Sequence, residues 1–414
     1  MPFQLDYKAR TNPVFMTAKT AVCLMAKAGI PDADDIVDRL GPMPGMTDPE
    51  MILGNALVVE AKYRTMCRLI QESGYMTNVD LPCGYTPKAL HITERGLRFV
   101  GLDLPIVAEE VGPILLSLAA HPERMQFHGV DATNYASLVA ALKEVEGPLC
   151  VSTEGMMMYF TESEASAVVE NIARLLKSHG GCWITPDPEF IVQFFLTFRS
   201  VLGEGALQKL MASRDAATSQ SDVGNLTNSL IMSPGDPHDS LNTAMAFLRQ
   251  HGLKAERVDL AEYMPELTAY RMLSEAQITA FKEAMHGCHY WVITLDDSVT
   301  HLREPQEEAI PFGMDCSVLG STFRASLSGR MDTITAPELL KAWETEKAAH
   351  TINGAEIDCS ELQYISSAGL RVLLIIQKAL PAKPIRLTGV NEVVREILET
   401  TGFVDVFSVS NSSD

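Results

Sequence analysis

Three acids fall where apolar, strand-forming runs end. Asp103 closes Arg98-Phe-Val-Gly-Leu-Asp103, Asp131 follows Met125 to Gly129, and Glu154 closes Leu149-Cys-Val-Ser-Thr-Glu154. A carboxylate accepts two O–H bonds at once, so an acid one strand after a tight glycine turn suits the hydroxyl pair of a ribose. Asp103 holds that position, and Asp131 is placed to accept an adenine amino group with Ala132 packing beside the ring. The glycine is Gly84, in Pro82-Cys83-Gly84-Tyr85-Thr86, where a missing side chain lets the backbone approach a ligand. A nicotinamide dinucleotide requires G-x-G-x-x-G opening a helix. Here Pro82 and Pro87 leave one glycine and remove amides, so a pyrophosphate cradle is poor. S-adenosylmethionine, which carries no phosphate, suits the pattern better. Asp103 and Asp131 also stand where a helix N-cap would, a role the same residue type serves.

Two further groups carry chemistry. Ser366 and Ser367 stand between a strand and a helix whose apolar face is Leu370, Val372, Leu373, Leu374 and Ile376. A phosphate on a serine there would meet the helix amides and the positive end of the dipole; a Ser-Ser pair is equally an ordinary N-cap. His286-Gly287-Cys288-His289 has H-x-x-H spacing but no carboxylate or second thiol in register, so no metal is expected. His286 and His289 remain candidates for taking a proton from a hydroxyl acceptor; a carboxylate acceptor needs only a cation to orient it.

The elements that position these residues alternate. From Tyr75, strands at 79–81, 98–103, 125–129, 149–154 and 181–186 are separated by helices at 105–120 and 162–178, the rhythm of a doubly wound α/β sheet with ligands at its carboxyl edge. Two later strands, 254–260 and 290–295, flank a helix at 275–285. Met1 to Met51 reads as helical, and with Phe190 to Ser213 it is expected to cover the acceptor pocket. Ser213 to Ser240, rich in Ser, Asp, Asn, Gly and Pro, reads as a mobile loop or lid. Later come strands at 322–328, 355–358 (short) and 384–387, with helices at 335–350, from Ser367, and at 391–400. The expected organisation is a first domain at 1–297 with an N-terminal helical cap, a linker at 298–311, and a smaller α/β domain at 312–414.

The 414 residues include 33 Lys plus Arg and 53 Asp plus Glu, a formal charge of −20. An acidic surface argues against nucleic acid and anionic membrane as partners. No apolar run reaches the roughly 18–20 residues a membrane span requires. Eight cysteines without CxxC pairs, among them Cys150 and Cys182 in apolar runs, fit reduced thiols in a cytoplasmic protein.

Two resemblances follow. Residues 312–409 resemble a STAS domain, the fold of bacterial anti-sigma factor antagonists, with Gly329-Arg330-Met331-Asp332 and the serine loop at the family's intervals. Matching Gly369-Leu370 to the family's Asp-Ser-x-Gly-Leu makes Ser367 the phosphoacceptor, with Ser366 the alternative, and implies an anti-sigma factor or serine kinase as partner. Residues 10–297 resemble the leucine carboxyl methyltransferase-like group of class I methyltransferases, which includes polyketide O-methyltransferases. The matching elements are Val79 to Ala89, Thr153-Glu154-Gly155-Met156-Met157-Met158-Tyr159-Phe160 and Tyr63-Arg64-Thr65. Pro82, Thr86 and Pro87-Lys88 depart from the first motif. The match implies that Arg64, Asp80, Gly84, Asp103, Asp131, Ala132 and Glu154 line an S-adenosylmethionine site, with Arg64 reaching the cofactor's carboxylate; read as a helix residue, Arg64 pairs with Glu60 at i−4. The expectation is an O-methyltransferase for a small carboxylate or hydroxyl compound. The competing one is a non-catalytic signalling protein whose first domain senses a metabolite.

Overall fold

The computed structural model describes residues 13–41, 47–220, 237–296, 311–332, 334–380, 384–400 and 403–411. The chain divides into two compact units, Met1–Leu302 and Arg303–Asp414. Apart from Pro311, the linker expected at 298–311 lies outside the described residues.

In the first unit three helices precede the sheet: α1 (Pro13–Ala28), α2 (Ala33–Leu40) and α3 (Pro49–Glu72). Helix α3 starts sharply because Asp48 accepts from the amides of Glu50 and Met51, with Pro49 at the first position. Strands and helices then alternate: β1 (Thr77–Asp80), α4 (Lys88–Glu94), β2 (Arg98–Asp103), α5 (Pro105–Leu118), β3 (Met125–Gly129), α6 (Tyr135–Ala141), β4 (Leu149–Ser152), α7 (Glu162–His179) and β5 (Gly181–Thr185). There follow α8 (Phe190–Thr197), α9 (Glu204–Gln220), α10 (Pro237–Gln250), β6 (Leu253–Asp259), α11 (Leu260–Tyr263), α12 (Glu275–Met285) and β7 (His289–Leu295). The sheet order is β3-β2-β1-β4-β5-β7-β6. The first five strands are parallel, and β7 runs antiparallel to β5 and β6. Strand order reverses between β1 and β4, which opens a crevice at their carboxyl ends.

Both sheet faces are covered, and β1 and β4 are buried at every residue, as central strands of a parallel sheet are; the polar Asn78 and Asp80 of β1 are hydrogen-bonded to β4. Leu57, Ala61, Met66 and Ile70 of α3 pack on one face with Ile92 and Tyr290; Val168, Ile172 and Leu176 of α7 pack on the other with Val79, Val151 and Trp291. The stretch Ser213 to Ser240 is not loop at its ends. Helix α9 runs on to Gln220 and α10 begins at Pro237, while 221–236 lie outside the described residues. Its polarity suggested a loop, but Arg214, Ala216 and Ala217 are good helix formers.

The second unit contains β8 (Gly313–Leu319), β9 (Thr322–Met331), α13 (Ala336–Ala349), β10 (Gly354–Ile365), α14 (Ser367–Ala379), β11 (Arg386–Val390), α15 (Glu392–Thr400) and β12 (Ser408–Asn411). Its order is β12-β11-β10-β9-β8, with only the β8–β9 pair antiparallel. Strand β8 was not expected from the sequence; it is an edge strand with no fully buried residue, so its hydrophobic signal is weak. Strand β10 is much longer than its expected four residues. Register shifts between Asp358 and Glu361 and between Leu362 and Tyr364 break its alternation, yet pairing with β9 continues to Ile365. Phe323, Leu327, Met331, Leu339, Trp343, Ile357 and Leu373 form the core.

Candidate functional site

The carboxyl edge of the first sheet gathers the predicted acids. Asp103 ends β2, and its Oδ2 accepts from the Gly84 amide at 2.8 Å while Oδ1 accepts from the Leu104 amide at 2.7 Å. Burial pushes its pKa up to about 7 against the pull of those two amides. Each oxygen keeps a second lone pair for a ligand hydroxyl. Gly84 has φ +55, and a Cβ built on it would meet nothing within 4 Å, so the turn after β1 presents bare backbone to open space.

Between β1 and β4 lies a buried ionic group that sequence reasoning only half saw. Asp80, fully buried, takes Lys88 Nζ at 2.9 Å and the Ser152 hydroxyl at 2.6 Å, and its Oδ2 has no hydrogen-bond partner. Burial raises the Asp80 pKa. For Lys88, burial acts to lower the pKa, but the charges of Asp80 and Glu154 reverse this and hold it above its usual range. Glu154, beyond β4, lies 3.5 Å from Lys62 Nζ of α3. Burial lowers the Lys62 pKa against the attraction of Glu154 and Asp187. Asp187, beyond β5, accepts from the amides of Gly155, Met156 and Met157 at 2.6–3.1 Å and so fixes the loop that carries Glu154. Lys62, Lys88 and Asp187 were missed as site residues. Lys88 had a signal, since it stands where the resembled motif has Arg, and Asp187 follows a strand end as Asp103 does.

Other predicted residues are placed differently. Arg64 does not join this group: its Nε binds Glu60 at 2.6 Å and its Nη2 the Thr268 hydroxyl at 2.7 Å, while Glu60 also accepts from the amides of Thr268 and Ala269. Lys62, two residues earlier and so about 200° around the helix, is the α3 cation beside Glu154. Asp131 lies past β3, and its Oδ1 accepts from the Thr133 amide and hydroxyl at 2.8 and 2.6 Å in a local turn; the N-cap of α6 is Asn134, not Asp131. Ala132 is buried, and its carbonyl accepts from Asn171. His286 is on the surface at the far end of the sheet, 2.7 Å from Asp259, which raises its pKa. That placement removes it from the group of acids. His289 begins β7, where Nδ1 lies 3.2 Å from Glu189 and 3.0 Å from Arg257. Among the described residues no group of three or more His, Cys, Asp or Glu could hold a metal ion.

In the second unit Ser366 is the N-cap of α14. It is 2% exposed, its hydroxyl accepts from the Gly369 amide at 3.3 Å, and its own amide donates to Met331. The resembled pattern has Asp there, and Asp and Ser serve equally as N-caps. The departure is thus conservative, and it puts Ser367 at the first helical position. Gly369 is needed for contact: a Cβ would lie 2.7 Å from Ile365 Cγ1 and 3.1 Å from the Met331 carbonyl oxygen. Asp332 accepts from the amides of Ile334 and Thr335 and closes the turn before α13.

The chain is similar to several known proteins. A family model described as Mlab, STAS domain, matches residues 317–408. BtrV of Bordetella bronchiseptica, by name an anti-sigma factor antagonist, is 37% identical over 95 residues, which are 22% of this chain and 78% of that protein. A crystal structure of an anti-sigma factor antagonist from Mycobacterium paratuberculosis aligns at 22% identity, covering 25% of this chain and 89% of that one, TM-score 0.23. An O-methyltransferase family protein from Burkholderia thailandensis aligns at 15% identity over 59% of each chain, TM-score 0.32. No helix of the described residues is long and apolar enough to cross a membrane. With its serine-capped helix against a five-stranded sheet and a relative of this identity, the chain belongs to the STAS family through its C-terminal unit.

Proposed function

We propose that the first unit is an S-adenosylmethionine-dependent O-methyltransferase for a small carboxylate or hydroxyl compound, and that the STAS unit is a regulatory module phosphorylated on Ser367. The observation that supports the first part is Asp103 facing the bare Gly84 turn across the β1–β2 ends. The residues fit this ligand: Asp103 for ribose hydroxyls, an open glycine turn in place of a phosphate cradle, the unpartnered buried Oδ2 of Asp80, and carboxylates for a cationic ligand.

When bound, the cofactor supplies a methyl group activated by a positively charged sulfur. Asp103 takes the ribose hydroxyls, and Asp131 with Ala132 flanks the adenine. Glu154, steadied by Lys62 at 3.5 Å, takes the ammonium end. Asp187 keeps the Glu154 loop in place so that these groups are oriented before binding. In the STAS unit a phosphate on Ser367 adds about −1.5 to −2 charges at a helix N-terminus. An anti-sigma factor or its serine kinase is the expected partner; the relatives above are named as anti-sigma factor antagonists.

Calorimetry with S-adenosylmethionine tests the first part. Asp103→Ala is expected to weaken binding by about 1–3 kcal/mol, the cost of leaving buried hydroxyls unpaired; unchanged affinity would remove the site. An anti-sigma-type serine kinase should label the wild type and not Ser367→Ala. Label that persists there and disappears in Ser366→Ala moves the acceptor by one residue.

A further inference from the structure

We infer that Tyr85 is the residue that positions the Gly84 turn, through a buried tether to Glu110 of α5 and Lys19 of α1. The inference deepens the cofactor reading of that turn and rests on it, because the Gly84 amide is what steadies Asp103. The turn has little backbone to hold it. Pro82 and Pro87, at its two ends, have no N–H to give. Its backbone reaches β2 through Cys83 N–H, which donates to the Leu102 carbonyl at 3.0 Å, and Gly84 N–H, which donates to Asp103 Oδ2 at 2.8 Å. Gly84 itself has no side chain to pack, so an anchor must come from the residue beside it.

Tyr85 is built for that task. It is 1% exposed, and its hydroxyl donates to Glu110 Oε2 at 2.6 Å. Burial, and then the bond to Glu110, raise the Tyr85 pKa, so the hydroxyl keeps its proton and remains a donor. Lys19 Nζ donates to the other oxygen, Glu110 Oε1, at 2.8 Å, and lies 5.0 Å from the centre of the Tyr85 ring, within reach of a cation–π attraction. Lys19 is itself buried, so its charge fixes the carboxylate that receives Tyr85. Glu110 thereby ties the turn to two helices. Asp103 registers the effect, because the Gly84 amide is the foremost influence lowering its pKa against burial. Asp80 acts on Asp103 by charge, and Cys83 and Tyr85, whose pKa values burial raises, are its other titratable neighbours. Without the Tyr85 hydroxyl the turn is freed to move off β2, the Gly84–Asp103 bond lengthens, and the Asp103 pKa rises above about 7. Tyr85 acts on the ligand through Gly84 and Asp103, as a positioning residue.

Carboxyl-carbon NMR of the full chain labelled with 13C-aspartate, with Asp103 assigned from the Asp103→Asn spectrum, follows this titration with no ligand present. Asp103 is expected to titrate at higher pH in Tyr85→Phe than in the wild type. Glu110→Ala should reproduce the change, and the double variant should add nothing to it, as for residues that act as one unit. An unmoved titration in Tyr85→Phe, or changes that add in the double variant, overturns the inference. Calorimetry with S-adenosylmethionine reads the consequence. With Asp103 titrating about one pH unit higher, affinity falls about fivefold at pH 7 and hardly at all at pH 9, where the carboxyl is charged in both chains. An equal loss at both pH values, or none at either, marks a packing role alone and also overturns the inference. A chain whose Asp103 titration follows Tyr85 but which binds no S-adenosylmethionine keeps the positioning role and fails the cofactor reading instead.

Discussion

Binding of S-adenosylmethionine should release protons near neutral pH, and Asp103 sets how many. Burial raises this carboxyl from an ordinary 3.8 to about 7, although the amides of Gly84 and Leu104 pull the other way. At pH 7 the ligand-free site therefore holds about half a proton. Ribose hydroxyls donating to the carboxylate favour its charged form, so that proton leaves as the ligand enters. The release is about 0.9 proton at pH 6, about 0.5 at pH 7 and about 0.1 at pH 8. Affinity follows, and binding becomes roughly tenfold weaker on going from pH 8 to pH 6. Calorimetry in two buffers of different ionisation enthalpy separates this exchange from the binding heat, and Asp103→Asn should abolish it. Binding without proton exchange at pH 6–7, or a release that survives in Asp103→Asn, refutes the reasoning. For the ligand-free chain the same raised pKa has a definite sign. The stability it contributes is fully present below the unfolded value and is lost as pH rises through about 7, so Asp103→Asn should lose less stability across that window.

Removing one partner of the buried Lys88–Asp80 pair leaves a charge without compensation. Lys88→Met should therefore destabilise the chain by about 3–5 kcal/mol in urea unfolding, and adding Asp80→Asn should recover most of the loss. Ser366→Ala removes the cap of α14 and should cost about 1 kcal/mol, measured by thermal unfolding of the full chain.

Much of the architecture was legible because its signals are local. Strand β2 is a short apolar run closed by an acid, β3 ends at a glycine, β5 is an apolar run between Gly181 and Pro186, and α12 carries a Ser274 capping box that marks its start. The C-terminal unit was legible from spacing, since Gly369 allows a close approach that no side chain would. Strand β10 was under-read because two register shifts destroy the period of two that identifies a strand. Strand β8, at an edge, has little burial to enforce a pattern. The end of α9 was misread because polar residues there suggested turn chemistry, whereas their helix propensity was adequate.

Site residues were legible where the acid follows a strand, and illegible where its partner comes from another element. Asp103 and Glu154 were picked out by position; Lys62 was not, because nothing local links a helix lysine to a loop 92 residues later, and Asp187 was passed over although it follows β5. Arg64 and Lys62 show why residue type alone misleads. Glu60 and Arg64 are one turn apart on α3 and share a face, so their pairing follows from the helix period alone. That period also turns Lys62 about 200° from Arg64. Tyr63 and Met66 are deeply buried, so most of the helix circumference is occupied by core. A cation meant for the strand ends had to come from the phase opposite the Glu60–Arg64 pair, and Lys62 occupies that phase.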